Sequence, residues 1–325
     1  MQITSYPEKS VRFIPLPPWL SIIIVWEIIF LLDYLIARSD PGSVSSLWLF
    51  GSLIIFFISV CINSILCSQE LIRLLPHLRT FVDMSSDELG QWYTHQLQEC
   101  YEGWKPIASG LVIGAAAGFT LDPLMREVIQ GSDLVYYYRH GYHFVGYFFL
   151  GTALWALIRA ATIPLSMAKF KIKVSSYQVR GTGLQALGRA YFRMAIFLTT
   201  SFFVMVAIVA FSPFTASPIV LGWLAIGALS IFLFFVVPQM GIHRIMAEVK
   251  YKKLDAFSIH LDAALEQSIN QPTPDNMQRL KELFELQQHL KNMNEWPFEL
   301  SMVWQLITAL IIPLAMAAVE IFFKD

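Results

Sequence analysis

Polar and charged side chains within long apolar runs are the residues of this sequence best placed to do chemistry. Glu27 and Asp33 lie in the first run, Asn63 in the second, Arg159 in the fourth and Glu320 in the last. Ionisable groups are costly inside a bilayer and mark ion or proton pathways by default. Glu27 is therefore either an ion or proton site or a carboxyl group hydrogen-bonded within a helix bundle. Arg159 and Glu320 can reach the membrane surface with their long side chains, and Asn63 is expected to tie two helices together.

The stretch YYYRHGYHF at 136–144 raises the question of a metal or haem site, because His140 and His143 are three residues apart. No further histidine, cysteine or acidic cluster lies near them in the sequence. The sequence also lacks a Walker loop, HExxH, GxSxG and CxxC. It therefore predicts no enzyme, no catalytic residue, no metal site and no cofactor.

The composition is that of a membrane protein. Of the 325 residues 56% are hydrophobic and 14% are charged, whereas about 25% of a soluble domain is charged. The net charge of −1 gives no general attraction to nucleic acid. The three cysteines, Cys61, Cys67 and Cys100, follow neither a metal spacing nor a disulfide pattern. The expected partners are membrane lipids and further copies of the chain, which would associate through their helices.

Seven runs are candidates to cross a bilayer, which takes roughly 17–25 apolar residues. They predict an all-α, polytopic membrane helix bundle. The third run is short and rich in glycine and alanine, so whether it spans fully stays open, and a cleaved signal peptide is the alternative for the first run. The runs are 19–37, 47–67, 106–121, 143–163, 192–211, 219–237 and 302–323.

The distribution of Lys and Arg predicts the orientation. With seven spans, the segments assigned to the inside hold seventeen Lys and Arg residues and those outside hold four. Since basic residues accumulate on the cytoplasmic side, we expect the N-terminus inside and the C-terminus outside, in a plasma or inner membrane. The long connectors 68–105 and 164–191 are then cytoplasmic.

The sequence divides into a transmembrane bundle over 1–240, a cytoplasmic helical hairpin over 241–296 and a last transmembrane helix over 297–325. Apolar residues recur at helical spacing on both sides of NQPTPDN. Thr273 is expected to cap the second helix, with Pro274 in its first turn. The hairpin either caps its own bundle or contacts another subunit.

Two short segments join the predicted hairpin to the membrane helices. Pro238 and Gly241 lie at the first junction, and Trp296 and Pro297 at the second. Glycine and proline lower the cost of bending a helix, so these four residues are a candidate pair of hinges. The alternative is an ordinary helix boundary with an interfacial tryptophan.

Gly110, Gly114 and Gly118 form a doubled GxxxG pattern in the third run. Small residues at this spacing let another helix backbone approach closely. The pattern predicts tight helix packing, either within the chain or between chains.

Residues 240–315 resemble a pattern of uncharacterised prokaryotic multi-pass membrane proteins. The segments GIHRIMAEVKYKKLDAF and NEWPFELSMVW carry the resemblance, because an HRxM start and a WPF segment bracket a helical hairpin there too. The resemblance implies no particular activity. Separately, the layout of seven spans with long cytoplasmic helices is similar to that of insect chemoreceptor channels, at the level of fold only.

Two functions follow as hypotheses. The first is an oligomeric channel-like or transport protein that is gated through the cytoplasmic hairpin. The second is a non-conducting signalling or scaffold protein that recruits a partner through the same hairpin. The sequence favours the first, because the last two predicted spans both join the hairpin directly.

Overall fold

The fold is known from a computed structural model, which describes residues 4–40, 46–128, 132–170, 172, 183–212, 217–292, 295–296 and 300–323. These residues form helices without a named strand, and the one bridge between extended residues pairs Val82 with Ile172. The predicted all-α class is therefore confirmed for the described chain. The helices are α1 (Tyr6–Val11), α2 (Pro18–Arg38), α3 (Leu47–Ile72), α4 (Leu75–Leu78), α5 (Ser86–Tyr101), α6 (Trp104–Val128), α7 (Asp133–Met167), α8 (Gly183–Ala210), α9 (Pro218–Asn270), α10 (Pro274–Lys291) and α11 (Leu300–Phe323).

Within the described ranges, six helical segments are long and apolar enough to cross a membrane. They begin at Pro18, Leu47, Ser86, Asp133, Leu184 and Pro218. A shorter apolar segment, Ser301–Ile312, belongs to α11. These helices support a membrane-embedded protein. Seven spans and their orientation stay predictions.

The third predicted span, 106–121, lies within a longer helix. α6 covers 25 residues, Trp104–Val128, and contains Pro123. The helix starts directly after Gly103, whose φ of 83° lies in the left-handed region that glycine tolerates best. This turn separates α6 from α5. A capping box between Ser85 and Glu88 stabilises the start of α5.

The bundle has two clusters of buried apolar side chains. One joins the end of α3 to α5, α7, α8 and α9, and includes the fully buried Tyr93, Tyr191 and Ile242. The other joins α2, α3 and α7 around Trp26 and Phe57, whose rings stack at 5.4 Å. Burial of such side chains is worth about 1.5–3 kcal/mol each, and it fixes the helices around the polar groups described below.

The structure has no helix end at Pro238 and Gly241, and a hinge at these residues stays a prediction. Both residues lie inside α9, which continues for 53 residues from Pro218 to Asn270, or about 80 Å at 1.5 Å per residue. Proline costs a helix about 3 kcal/mol. Residues on both sides of it are buried on the same face of α9, and their burial offsets that cost: Ile231, Phe234, Phe235, Ile242 and Ile245.

Beyond Lys250, α9 continues next to α10. We call residues 251–291 the distal arm. Thr273 caps α10 as expected, by accepting a hydrogen bond from the Asn276 N–H at 3.3 Å. Ser268 donates to the carbonyl of Asn276, which fixes the start of α10 against α9. No residue of α10 is buried, so the described chain covers only one side of this helix.

Candidate functional site

A cavity lies among the membrane helices of a single chain. It has a volume of about 170 Å³ and is lined by side chains of α3, α6, α7, α8 and α9, with Tyr101 of α5. We call it the central cavity. Most of its wall is apolar, and an apolar cavity of roughly 150 Å³ is large enough for a benzene-sized group. The space is therefore suited to part of an apolar molecule.

One corner of the central cavity is polar. The Asn63 side-chain amide on α3 donates to the Ser201 hydroxyl on α8 at 2.7 Å, and the Ser59 and Ser201 hydroxyls are 2.9 Å apart. Ser64 and Ser230 add hydroxyl groups to the lining. These groups are uncharged and can donate and accept hydrogen bonds. Asn63 thus ties two helices together and also faces the cavity.

A buried ion pair joins α2 to α7. Arg139 Nε lies 2.8 Å from Asp33 Oδ1, and neither side chain is exposed. Arg139 also donates to the Ser46 hydroxyl at 2.7 Å, and its guanidinium lies 4.3 Å from the centre of the Phe50 ring. Asp33 is therefore neutralised by a specific partner, and this arrangement favours a structural role for it.

Several polar atoms next to this pair have no hydrogen-bond partner among the described residues. They are Asp33 Oδ2, the Tyr142 hydroxyl and His143 Nε2. His143 Nδ1 lies 2.6 Å from the Arg139 carbonyl, and the His143 ring stacks on Tyr142. The described part of the chain contains no group of three or more metal-ligating side chains.

Two further predicted polar residues, Glu27 and Arg159, lie away from the central cavity. Glu27 is exposed on the outer face of α2. Arg159 reaches toward the bundle end, where its guanidinium lies 3.7 Å from Glu99, a residue that also pairs with Lys105 at 2.9 Å. The side chain of Glu320 is outside the described residues. Among the predicted ionisable residues whose side chains the structure describes, none lines the central cavity.

The glycine pattern of α6 faces α7 of the same chain. A Cβ atom added to Gly110 would lie 2.7 Å from the Phe148 ring, and one added to Gly114 would lie 3.0 Å from the Phe144 ring. Gly118 is looser, at 3.6 Å from His140. Gly151 of α7 completes the contact, because its added Cβ would lie 2.6 Å from the Ser109 carbonyl oxygen. The stripe therefore packs within the chain.

Gly241 permits a close helix contact within an unbroken helix. An added Cβ would lie 3.0 Å from the Leu165 nitrogen and 3.1 Å from the Pro164 carbonyl carbon, at the end of α7. Trp296 stacks on His243 of α9, with ring centres 4.0 Å apart. Pro297 lies outside the described residues.

An ion pair supports this junction between α9 and the segment before α11. Lys250 Nζ lies 2.8 Å from a Glu295 carboxylate oxygen. The hydrogen bond from Lys250 lowers the pKa of Glu295 below its ordinary value of 4.5. No local sequence pattern predicts this pair, because its members are 45 residues apart.

Comparison with protein-family models, curated proteins and solved structures finds no match to this chain.

Proposed function

We propose that this membrane protein binds a small, mainly apolar molecule in its central cavity and acts as a transport or channel-like protein. The lining supports the class of molecule. Its apolar wall would hold a hydrocarbon or aromatic group, and Asn63 and Ser201 would hydrogen-bond an uncharged polar group. Bare inorganic ions are a poor fit, because a dehydrated ion in an apolar cavity needs charged or many polar ligands.

The observation that carries this proposal is the continuity of α9. The same helix lines the central cavity with Trp223, Gly227 and Ser230 and then forms half of the distal arm. A displacement of the arm would therefore be transmitted to the cavity wall without a joint. We place the arm in the cytoplasm, where it corresponds to the predicted hairpin, and we propose that it gates access to the cavity.

The proposal can be tested by filling the cavity. Gly227 lines it, and an added Cβ would meet only Phe202 at 3.4 Å, an ordinary contact distance. Gly222 is on the same helix with nothing within 4 Å of an added Cβ and is the matched control. We expect wild-type protein, after exhaustive detergent exchange, to retain an apolar molecule with a neutral polar group.

Mass spectrometry of the purified proteins would detect this molecule. Gly227→Phe should lose it, whereas Gly222→Phe should keep it. A fluorescent fatty alcohol represents the proposed class of apolar molecules with a neutral polar group. Its flux into vesicles should fall in Gly227→Phe. Retention that is equal in both variants, together with flux equal to that of empty vesicles, would reject the proposed site.

Recruitment of a partner through the distal arm is the second candidate function. It is favoured by the exposed apolar side chains of the arm, which include Ile259, Ile269, Met277 and Phe284 at 47–71% exposure. In this case, Phe284→Gln should abolish capture of one defined partner while Gly227→Phe has no effect on it. The opposite pattern, with a cavity-dependent flux and an arm that captures nothing, supports the transport proposal.

A further inference from the structure

Glu27 is a carboxyl-bearing residue at the centre of a membrane helix, on the side that the rest of the chain leaves uncovered. α2 runs from Pro18 to Arg38, or about 32 Å at 1.5 Å per residue, close to the thickness of the hydrocarbon core. Glu27 is roughly 14 Å from its start. The side chain is exposed, and no described residue forms a hydrogen bond or ion pair with it.

The opposite face of α2 already has its partners. Ile22, Trp26 and Asp33 are buried there against α3 and α7. Glu27 cannot turn to that face without breaking this packing. Because a carboxyl group at the bilayer centre is costly unless another polar group pairs with it, a partner for Glu27 has to come from outside the described chain.

The spacing of the exposed residues shows the geometry of that partner. Ile24, Glu27, Leu31 and Tyr34 follow intervals of three, four and three residues, and all four are exposed. Ile28, Leu32 and Leu35 are exposed beside this line. The spacing of the line fits the a/d seam of a left-handed pair of helices, in which Glu27 would be at a central d position. In a parallel twofold pair, each d residue faces the same residue of the other helix.

We propose that this seam is an interface between two copies of the chain, in which the two Glu27 side chains hydrogen-bond to each other. Two copies inserted in the same orientation present parallel α2 helices. Two facing carboxyl groups that are both protonated can each donate one hydrogen bond and accept one, so the surface is complementary to itself. A polar residue at one seam position also fixes the register of such a pair.

The interface does not depend on the proposed function, because the central cavity is lined by one chain alone. A wild-type chain that stays monomeric but retains a molecule in the cavity would therefore overturn only the interface. Loss of cavity binding with intact dimers would overturn only the proposed function.

Disulfide crosslinking of the full chain in lipid nanodiscs tests the seam. Leu31→Cys is on the seam, and Leu32→Cys is the matched control, because it is also exposed but turned by about 100° around the helix. The three native cysteines are buried, and wild-type protein measures their background. We expect crosslinked dimers from Leu31→Cys and background levels from Leu32→Cys. Equal crosslinking of the two variants would overturn the proposal.

Glu27 itself is tested by two substitutions. Glu27→Gln keeps a group that both donates and accepts, and should dimerise as wild type does. Glu27→Leu should weaken association by about tenfold, the size expected for one hydrogen-bonded contact between membrane helices.

The dimer fraction can be measured by fluorescence energy transfer between labelled copies over a range of protein-to-lipid ratios, and the melting temperature of each variant shows whether it is folded. A folded Glu27→Leu that dimerises like wild type would overturn the proposal. So would a wild-type chain that is monomeric at every ratio, since the partner would then be a different protein.

Discussion

Removal of one member of the Asp33–Arg139 pair should destabilise the bundle strongly. In Arg139→Met the aspartate stays buried with no exposed surface, and it loses the guanidinium at 2.8 Å. Breaking a buried pair in this way costs about 3–5 kcal/mol, because the remaining charge is left without a partner in a medium of low polarity. The contacts of Arg139 with the Ser46 hydroxyl and the Phe50 ring are lost as well.

A double variant distinguishes the interaction between Asp33 and Arg139 from the contacts that each residue makes with its surroundings. Asp33→Leu with Arg139→Met leaves no unpaired charge, and apolar replacement of a buried pair is often neutral. We therefore expect the double variant to be no less stable than either single variant. In the double-mutant cycle this appears as a large coupling free energy.

The free energy of unfolding can be measured by titrating each variant with SDS in mixed micelles. Lys252→Met is the control, because it breaks the exposed Lys252–Glu248 pair, and exposed pairs contribute little. The reasoning would be refuted if Arg139→Met were as stable as Lys252→Met. It would also be refuted if the two single losses simply added in the double variant.

Three further predictions concern packing and charge. Gly151→Ala should lower the free energy of unfolding by about 1–3 kcal/mol, because its Cβ would meet the Ser109 carbonyl oxygen at 2.6 Å. Gly222→Ala should not destabilise the protein, and the same SDS titration compares the two variants. Asn63→Ala should lower the free energy of unfolding by about 1 kcal/mol, because it removes hydrogen bonds between α3 and α8. Ser52→Ala is the control, since the Ser52 hydroxyl bonds only within its own helix. An equal loss of stability in the two variants would contradict this prediction. The hydrogen bond from Lys250 lowers the pKa of Glu295. The stabilisation by this pair is therefore present above pH 4.5 and is lost as the pH falls through the lower pKa of the folded state. Hydrogen exchange of 242–250 should rise over that pH range in wild type and show no such step in Lys250→Gln.

The sequence indicated the elements better than their ends. Apolar runs and the Thr273 cap placed the long helices correctly, because both signals are local. α7, however, begins at Asp133, ten residues before the predicted span at His143. The tyrosines, Arg139 and the histidines of this segment are individually too polar to be assigned to a membrane helix.

The buried ion pair was missed for the same reason. The sequence predicts Asp33 inside a span, but it predicts Arg139 outside the span 143–163 and therefore does not indicate that the two residues pair. A pairing across 106 residues depends on how α2 and α7 pack, and no local pattern encodes it. The GxxxG pattern, in contrast, is a local signal for close packing, whereas Phe144 and Phe148 as the residues opposite Gly114 and Gly110 could be found only in the structure.

The course of α9 at Pro238 and Gly241 shows how packing can override the local preference for a helix end. Pro238 and Gly241 are both helix-breaking residues, and the sequence around them changes from apolar to charged. The structure continues the helix because Gly241 fits against the backbone at Pro164 and Leu165. Glycine suggests flexibility in the sequence, but in the structure Gly241 allows a close contact between α9 and the end of α7.

The continuity of α9 is the central claim, since it links the cavity wall to the distal arm. It can be measured by the distance between spin labels at Leu229 and Ile259, which are both exposed. Thirty residues of unbroken helix separate them by about 45 Å.

We predict a single narrow distance distribution near that value in lipid nanodiscs, by double electron–electron resonance. A bend of about 60° at Pro238–Gly241 would shorten the distance to about 40 Å, and a flexible hinge would broaden it. A broad distribution centred at or below about 40 Å would contradict the account.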